Sequence, residues 1–111
     1  YKTLVTQGPA KEYFVFVIPV AEELDLKKAA RAVGEKSIDM LKSKELLPLT
    51  GYIHGGCSPI GMKKVFQTVI HQSAEACDTI IFSGGKIGYQ VEVSLDGLRK
   101  VIPFTLSDII V

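Results

Sequence analysis

The sequence has no tryptophan, only two cysteines, and nearly equal numbers of positive and negative side chains. Two cysteines cannot form a disulfide framework, and a chain of 111 residues can bury a core without one, so we expect one reduced, cytoplasmic domain over residues 1–111. The longest apolar run, 13–21, is interrupted by Pro19 and falls short of the roughly 18 residues of a membrane helix, which argues against a membrane span. A net charge of +1 argues against a protein that binds nucleic acid by charge alone, so nucleic acid would be bound weakly or with a recruiting partner.

Glycine is concentrated in two stretches, and these carry the main functional signal. Residues 50–61 contain four glycines and Pro59 among small hydroxyl residues, and the second stretch is Ser83-Gly84-Gly85-Lys86-Ile87-Gly88. Dense glycine allows positive φ and lets a ligand approach bare backbone N–H groups. We expect both stretches to be ligand loops rather than core, brought together by a scaffold. Ordinary connections between strands are the alternative.

Hydrophobic patterns predict strands and helices along the whole chain. Residues 1–6 alternate as a strand, and the fully apolar run at 13–18 predicts a central strand that forms a hairpin with it. Asp25 is a good N-cap for a helix that ends near Gly34. The later strands are predicted at 37–40, 65–70, 79–82, 89–93 and 104–106. A helix at 42–47 is ended by Pro48, and a helical turn follows at 73–77. The last helix runs from Ser94 to Pro103, with Leu95, Leu98, Val101 and Ile102 on its apolar side. This order has too many adjacent strands for a parallel βαβ fold and indicates a mixed or antiparallel sheet with a few packed helices.

Two pairs of residues suit a metal ion by type, His54 with Cys57 and His71 with Cys77. Neither pair has a usual zinc-finger spacing, so no metal site is expected, and His71 and Cys77 are interpreted as packing or surface residues. Cys57 beside His54 also suggests a nucleophile with its base. No third, orienting group can be identified, and the small size of cysteine explains its place in a crowded loop equally well.

Two lysines have open interpretations. Lys86 does not complete a Walker A motif, because Ile87 follows it where the motif requires Ser or Thr. Its segment is then either a nest of backbone N–H donors for one anionic or carbonyl group, or a plain tight turn. Lys2 has either a buried stem with an ammonium group that reaches a pocket, or a solvated side chain.

Three short blocks of the chain together form one sequence signature. They are Tyr1-Lys2-Thr3-Leu4, Thr50-Gly51-Tyr52 with Gly55-Gly56-Cys57-Ser58-Pro59-Ile60-Gly61, and Ser83-Gly84-Gly85-Lys86-Ile87-Gly88. In this order they resemble the YbaK/EbsC family, free-standing relatives of the editing domain inserted in bacterial prolyl-tRNA synthetase, and residues 19–29 resemble its YbaK branch. The resemblance covers essentially the whole chain. It implies an α/β fold of the α+β type, with a mixed, mostly antiparallel, strongly curved sheet, and it implies that a segment preceding Tyr1 in relatives, a wall of their pocket, is missing here.

The resemblance implies a trans-editing deacylase that clears Cys-tRNA(Pro). It assigns the catalytic role to Lys2 and places the aminoacyl ester in the loop from Gly55 to Pro59. The implied substrate-binding residues are Thr3, Thr50, Gly51, Tyr52, Gly55, Gly56, Ser58, Pro59, Gly61, Ser83, Gly84, Gly85, Lys86 and Gly88. The family pattern does not require cysteine at position 57, which weakens the thiol nucleophile further. It implies no cofactor and no metal; the implied partners are aminoacyl-tRNA, bound by its acceptor 3′ end, and, as a candidate, prolyl-tRNA synthetase.

The implied mechanism relies on the substrate's own thiol. A cysteinyl ester can cyclise to a thiolactone, so the protein need only fold the substrate and stabilise charge. On this hypothesis, N–H groups of the loop from Gly55 to Pro59 hold the carbonyl, and Lys2 positions the tRNA 3′ end or stabilises negative charge. The alternatives are hydrolysis of Ala-tRNA or another small aminoacyl-tRNA by activated water, and a module that binds aminoacyl-tRNA or a synthetase without catalysis. Residue types alone do not determine the amino-acid preference.

Overall fold

The computed structural model describes residues 1–52, 56–62, 66–86 and 88–111. Its elements are β1 (Lys2–Gln7), β2 (Tyr13–Ile18), α1 (Leu26–Ala32), β3 (Asp39–Met40), α2 (Ser43–Thr50), β4 (Gln67–His71), a 3-10 helix (Gln72–Ala76), β5 (Ile80–Ser83), β6 (Gln90–Val93), α3 (Leu95–Arg99) and β7 (Thr105–Ser107). The order of strands and helices follows the prediction, although the predicted start of the fourth strand at 65 lies outside the described residues. No helix in the described ranges is long and apolar enough to cross a membrane.

Five strands form one mixed sheet in the order β3-β1-β2-β4-β7, and β5 and β6 form a separate two-stranded sheet. β1 and β2 make the predicted antiparallel hairpin, with Lys2 opposite Ile18 and Gln7 opposite Tyr13. The pairs β1–β3 and β5–β6 are also antiparallel. The pairs β2–β4 and β4–β7 are parallel. The predicted mixed sheet is therefore confirmed, with the apolar β2 at its centre. Because β1 runs against β2, β4 and β7, its amino end lies at the same edge of the sheet as their carboxyl ends.

Helix α1 covers one face of the large sheet. The buried residues of this side are Phe14, Phe16, Ile18, Ala29, Ala30, Ile38, Val69 and Ile109. Asp25 caps α1 as predicted, because its carboxylate accepts hydrogen bonds from the N–H groups of Lys27 at 3.0 Å and Lys28 at 3.1 Å. The helix therefore starts where the sequence indicates and seals the face that carries the even-numbered residues of β2.

The opposite face packs in two clusters. The first contains Val17, Ile70, Ala74, Ile80, Phe82, Leu98 and Phe104. The second contains Val5, Val15, Leu46 and Cys57. Val15 and Val17 of β2 belong to different clusters, so the boundary between the clusters crosses β2. Thr3 pairs with Val17 on the neighbouring strand and lies two residues before Val5, which places it at this boundary.

Helix α2 continues through Pro48 instead of ending there, so the predicted helix end is wrong. Proline lacks the N–H that would bond to the carbonyl of Lys44, but both residues are exposed, so water can solvate that carbonyl. On the buried side, Thr50 Oγ1 donates to the carbonyl of Leu46 at 2.8 Å. Gly51, with a φ of 88°, ends the helix in the left-handed region.

The expectation that the first glycine stretch stays out of the core is wrong for its described centre. Residues 56–59 are all buried, with Cys57 at 6% exposure and Ser58 at 0%. Small residues can lie this close to the sheet, and Cys57 packs with Val5 and Val15. Tertiary packing against β1 and β2 therefore determines the position of this loop.

Helix α3 begins as predicted but is shorter than predicted. Ser94 caps it, accepting a hydrogen bond from the N–H of Gly97 at 3.0 Å. The helix ends at Arg99, so Val101 leaves the helical face and is 63% exposed. The prediction that Val101 faces the core is therefore wrong, whereas Leu98 is buried as expected.

Candidate functional site

A cleft of about 460 Å³ opens where the amino end of β1 meets the β5–β6 hairpin. Its lining residues are Tyr1, Lys2, Thr3, Val20, Cys57, Ile81, Phe82, Ser83, Gly88, Tyr89 and Gln90. These residues come from β1, the segment after β2, the first glycine stretch and the hairpin, so the cleft lies at the junction of the two sheets. Its volume is in the range of small-ligand sites.

Hydrogen bonds of Tyr1 hold this junction together. Its backbone nitrogen donates to the carbonyl of Ile81 in β5 at 2.7 Å, and its hydroxyl forms a 2.8 Å hydrogen bond with Ser73 Oγ of the 3-10 helix. Lys2 follows directly and is half-buried. No carboxylate within the described ranges forms an ion pair with Lys2. The described protein groups therefore leave the charge of Lys2, a lining residue of the cleft, uncompensated.

Thr3 brings to the same wall a buried hydroxyl that has no partner among the described residues. Its Oγ1 is inaccessible to solvent and meets no hydrogen-bonding atom of the described chain. By contrast, the buried hydroxyl of Thr6, on the same strand, donates to the carbonyl of Phe14 at 3.2 Å. An unsatisfied buried polar group costs about 1 to 3 kcal/mol. Thr3 lines the cleft, so this unpaired hydroxyl lies just behind the cleft surface, where a ligand group reaches it only if the wall shifts.

Cys57 lines the cleft but is poorly suited to attack a substrate. The residue is 6% exposed and packs with Val5, Val15 and Leu46. Burial raises the pKa of the Cys57 thiol above its ordinary value, and a hydrogen bond with the Thr50 side chain opposes this only in part. Because the thiolate is the reactive form, a neutral buried thiol is a weak nucleophile. This supports the interpretation of Cys57 as a small packing residue; its suggested base, His54, lies outside the described residues.

The second glycine stretch is the turn of the β5–β6 hairpin. The N–H of Gly84 donates to the carbonyl of Tyr89 at 2.8 Å, and the N–H of Gly85 donates to Ser83 Oγ at 3.3 Å. The turn is closed by the N–H of Tyr89, which donates to the carbonyl of Lys86 at 3.0 Å. The predicted nest is therefore wrong at Gly84 and Gly85, because the turn itself uses these donors.

Tyr52 connects the two glycine stretches. Its hydroxyl donates to the carbonyl of Ile60 at 2.7 Å, and a Cβ on Gly61 would come within 2.7 Å of that hydroxyl. In the other stretch, a Cβ on Gly85 would come within 2.9 Å of Cε1 of the ring. Both glycines have positive φ, 71° and 102°, which also disfavours a side chain. The expected meeting of the two stretches is thus confirmed, and the Tyr52 ring lies between them.

Comparison with known proteins identifies the family. Residues 1–101 match the family model described as the aminoacyl-tRNA editing domain. The chain belongs to this family. Over 101 residues it is 50% identical to EbsC of Enterococcus faecalis (strain ATCC 700802 / V583), which is named as a candidate Cys-tRNA(Pro)/Cys-tRNA(Cys) deacylase. That match covers 91% of this chain and 62% of EbsC, so the chain spans less than two thirds of the length of that relative.

Solved structures share the fold of this editing domain. A structure from work on epitope backbone grafting by computational design matches with a TM-score of 0.90 at 23% identity, covering 99% of this chain and 70% of the other. A protein described as a candidate trans-editing enzyme for prolyl tRNA synthetase matches with a TM-score of 0.87 at 22% identity, covering 99% and 69%. At these identities the likeness establishes the fold, and it agrees with the mixed sheet and packed helices described above.

The editing domain places the residues predicted to bind substrate in three groups. Those that line the cleft are Lys2, Thr3, Ser83 and Gly88. Those that support its two loops from outside the lining are Thr50, Gly51, Tyr52, Gly61 and Gly85. Those that do not line this cleft are Gly56, Ser58, Pro59, Gly84 and Lys86; Pro59 and Gly61 instead line a smaller pocket of about 170 Å³. Gly55 lies outside the described residues.

Sequence reasoning did not identify the other cleft residues, which are Tyr1, Val20, Ile81, Phe82, Tyr89 and Gln90. Ile81 and Phe82 are apolar strand residues, a character that predicts core. Their role in the cleft depends on the contact between β1 and β5, which are far apart in the sequence. Tyr89 had a usable signal, since it is an aromatic residue directly after a glycine turn.

Among the described lining residues the editing domain offers no acid or base of the usual kinds, since no Asp, Glu or His contributes to the cleft. Nor do the described ranges contain a group of three or more His, Cys, Asp or Glu residues arranged to hold a metal ion. His71 is buried away from the lining, and its Nδ1 accepts a hydrogen bond from the N–H of Ile109 at 3.3 Å. Asp108 Oδ1 lies 3.9 Å from the same nitrogen. The arrangement is suited to holding and polarising a substrate.

Proposed function

We propose that this editing domain is a trans-editing deacylase that clears Cys-tRNA(Pro), and that the thiol of the cysteinyl group attacks its own ester. Membership of the aminoacyl-tRNA editing domain family supports the reaction class. The name of the Enterococcus relative supports the substrate. The chemistry of the cleft supports the mechanism.

The observation that carries this proposal is the set of groups in the cleft. It combines a cation at Lys2, an unsatisfied hydroxyl at Thr3 and a buried thiol at Cys57, with no carboxylate or imidazole among its described lining residues. Attack by water needs a general base to take its proton, and such a base is usually a His, Asp or Glu. A substrate that brings its own nucleophile needs only positioning and charge stabilisation, which these groups supply.

In the proposed reaction, the sulfur of the cysteinyl group forms a bond to the ester carbonyl carbon. The bond from that carbon to the ribose oxygen then breaks, the thiol proton goes to this oxygen, and the products are a cyclic thiolactone and free tRNA. Lys2 stabilises the negative charge that develops at the reacting centre or positions the 3′ end. The Thr3 hydroxyl makes a hydrogen bond to the bound aminoacyl-ribosyl group, and the backbone N–H of Cys57, the described residue of its loop that lines the cleft, holds the carbonyl.

Recognition of the rest of the tRNA is proposed to be weak without a partner. The chain has a net charge of +1, and phosphate contacts by cationic side chains provide most of the affinity of proteins for nucleic acids. We therefore propose that the protein works in the cytoplasm beside prolyl-tRNA synthetase, from which it receives the mischarged tRNA before dissociation.

The test is multiple-turnover deacylation of Cys-tRNA(Pro), Ser-tRNA(Pro) and Ala-tRNA(Pro) under one set of conditions. A seryl group has a hydroxyl oxygen where a cysteinyl group has the thiol sulfur and is otherwise identical. The seryl ester is therefore the matched control for the thiol. Release of cysteine with the other two esters intact supports thiol attack. Equal release of serine or alanine would show that water is the nucleophile, and protection of all three esters would show a binding module.

A further inference from the structure

Large apolar side chains are exposed at the mouth of the cleft. Val20 is 66% exposed, Ile81 44% and Tyr89 66%, and all three line the same cleft. Single exposed apolar residues are common on protein surfaces, but several around one cleft indicate a binding surface. This surface is continuous with Lys2 and Thr3, so a ligand that reaches those residues also meets the apolar rim.

Tyr89 is held by its backbone while its ring remains accessible. Its N–H donates to the carbonyl of Lys86 at 3.0 Å, and its carbonyl accepts from the N–H of Gly84 at 2.8 Å. The hairpin turn therefore fixes the Cα position, so only the two side-chain torsions of Tyr89 remain to be ordered when a flat ligand binds. Lys86 Nζ lies 6.0 Å from the ring centroid, so a cation accompanies the aromatic surface.

An aromatic ring beside a cation matches the end of a single-stranded RNA. Unpaired bases stack on aromatic side chains, and the adjoining phosphates interact with lysine or arginine. In an aminoacyl-tRNA the ester is on the ribose of the 3′-terminal adenosine, so the base of that nucleotide is one ribose away from the reacting carbonyl. With the ester at Lys2 and Thr3, the adenine must lie at the rim of the cleft.

We propose that Tyr89 is the stacking surface for the 3′-terminal adenine of the tRNA substrate, with Val20 and Ile81 adding apolar contacts and Lys86 the nearby charge. This rests on the proposed function for the identity of the ligand. The stacking contact is the same before and during the reaction, because the base does not change. Its loss therefore weakens binding without slowing the chemical step.

The test uses an acceptor-stem minihelix with a CCA end whose terminal adenine is replaced by 2-aminopurine, a base whose fluorescence is quenched on stacking. Binding to the wild-type protein should quench the signal, Tyr89→Ala should abolish the quenching, and Tyr89→Phe should restore it. Leu47→Ala is the matched control, since Leu47 is 50% exposed but belongs to α2 outside the cleft. Circular dichroism of each variant checks that the fold is retained.

Kinetics on full-length Cys-tRNA(Pro) give a second measurement. Tyr89→Ala should raise KM about 5- to 150-fold at unchanged kcat, as expected for loss of one base–aromatic stack. A quenching signal that survives in Tyr89→Ala, or a fall in kcat at constant KM, would overturn the stacking proposal while leaving deacylation in place. If the quenching depends on Tyr89 but the wild-type protein cleaves no ester, the stacking proposal stands and the proposed function is rejected.

Discussion

The ring of Tyr52 lies against Gly85 so closely that a Cβ on Gly85 would come within 2.9 Å of the ring atom Cε1. The same side chain donates its hydroxyl hydrogen to the carbonyl of Ile60 at 2.7 Å. One residue thus joins the hairpin turn to the loop that carries Cys57, and both border the cleft. The contact links two stretches that lie far apart in the sequence.

Gly85→Ala should destabilise the protein by about 1 to 3 kcal/mol more than Gly88→Ala, because the new methyl group must displace the Tyr52 ring. Gly88 is the matched control. Its φ of 88° imposes a backbone cost similar to that of the 102° at Gly85, but no atom of the described, non-adjacent residues lies within 4 Å of its Cβ position. Urea unfolding of the two variants measures the difference. Equal losses would mean that the ring moves aside freely and does not link the loops.

Gly61→Ala should be less costly in a Tyr52→Phe background than in the wild type. Its Cβ would meet the Tyr52 hydroxyl at 2.7 Å, while the next ring atom is 4.0 Å away, so removing the hydroxyl creates space. Gly85→Ala meets the ring itself, so Tyr52→Phe should not relieve it. A double-mutant cycle by urea unfolding should give a coupling energy of about 1 kcal/mol for Gly61 and near zero for Gly85. Coupling at both positions would show that the whole ring shifts.

Thr3→Val should stabilise the free protein by about 1 kcal/mol and lower deacylation about tenfold, because it removes a buried hydroxyl that has no partner among the described residues and that the proposed reaction pairs with the substrate. Thr6→Val is the matched control on the same strand. Its hydroxyl donates to the carbonyl of Phe14, so its loss should destabilise the protein by about 1 kcal/mol and leave kcat unchanged. Thermal unfolding and single-turnover deacylation measure the two effects. If Thr3→Val is destabilising, its hydroxyl has a partner in the free protein.

Lys2→Ala should reduce deacylation about 10²- to 10³-fold, the usual effect of removing one group that stabilises charge in a transition state. Lys27→Ala removes an exposed lysine from α1 and should have no effect on the rate, which controls for the loss of one positive charge. Cys57→Ala should stay near the wild-type rate, because in the proposed mechanism the reacting thiol belongs to the substrate. An inactive, folded Cys57→Ala protein would contradict this mechanism.

Alkylation should distinguish the two cysteines. Cys77 is exposed and should react readily with iodoacetamide, whereas buried Cys57 should be protected. Burial raises the pKa of the Cys57 thiol above the ordinary value of 9.0, so its thiolate forms only at higher pH. Its alkylation rate, followed by mass spectrometry of the native protein, should still be rising as the pH passes 9.0. Rapid modification of Cys57 near neutral pH would indicate an accessible thiolate and revive Cys57 as a nucleophile.

Local patterns were sufficient to predict most of the elements. The apolar run at 13–18 is the central strand, Asp25 and Ser94 cap α1 and α3, and Asp39–Met40 is a strand. These features depend on neighbours within a few residues, where side-chain chemistry acts directly on the backbone. The error at Pro48 has a different origin, because the packing of Leu46 and Thr50 continues the helix past a residue that disfavours it.

The candidate site was predictable only in part. Lys2, Thr3, Ser83 and Gly88 were identified by resemblance and do line the cleft, whereas Tyr89 and Val20 were missed because exposure at a cleft rim has no signature in a single sequence. The free donors expected at Gly84 and Gly85 are used by the turn, since hydrogen-bond partners depend on how the hairpin closes.

The sequence by itself determined the order of strands and helices, the caps and the two glycine stretches, because these depend on residue spacing and on conformations that few residues can adopt. Only the tertiary structure decided that the amino end of β1 meets β5, that residues 56–59 are buried and that the Thr3 hydroxyl has no partner in the described chain. These features arise from contacts between segments far apart in the chain. Their energies depend on the whole packing arrangement, which no local pattern records.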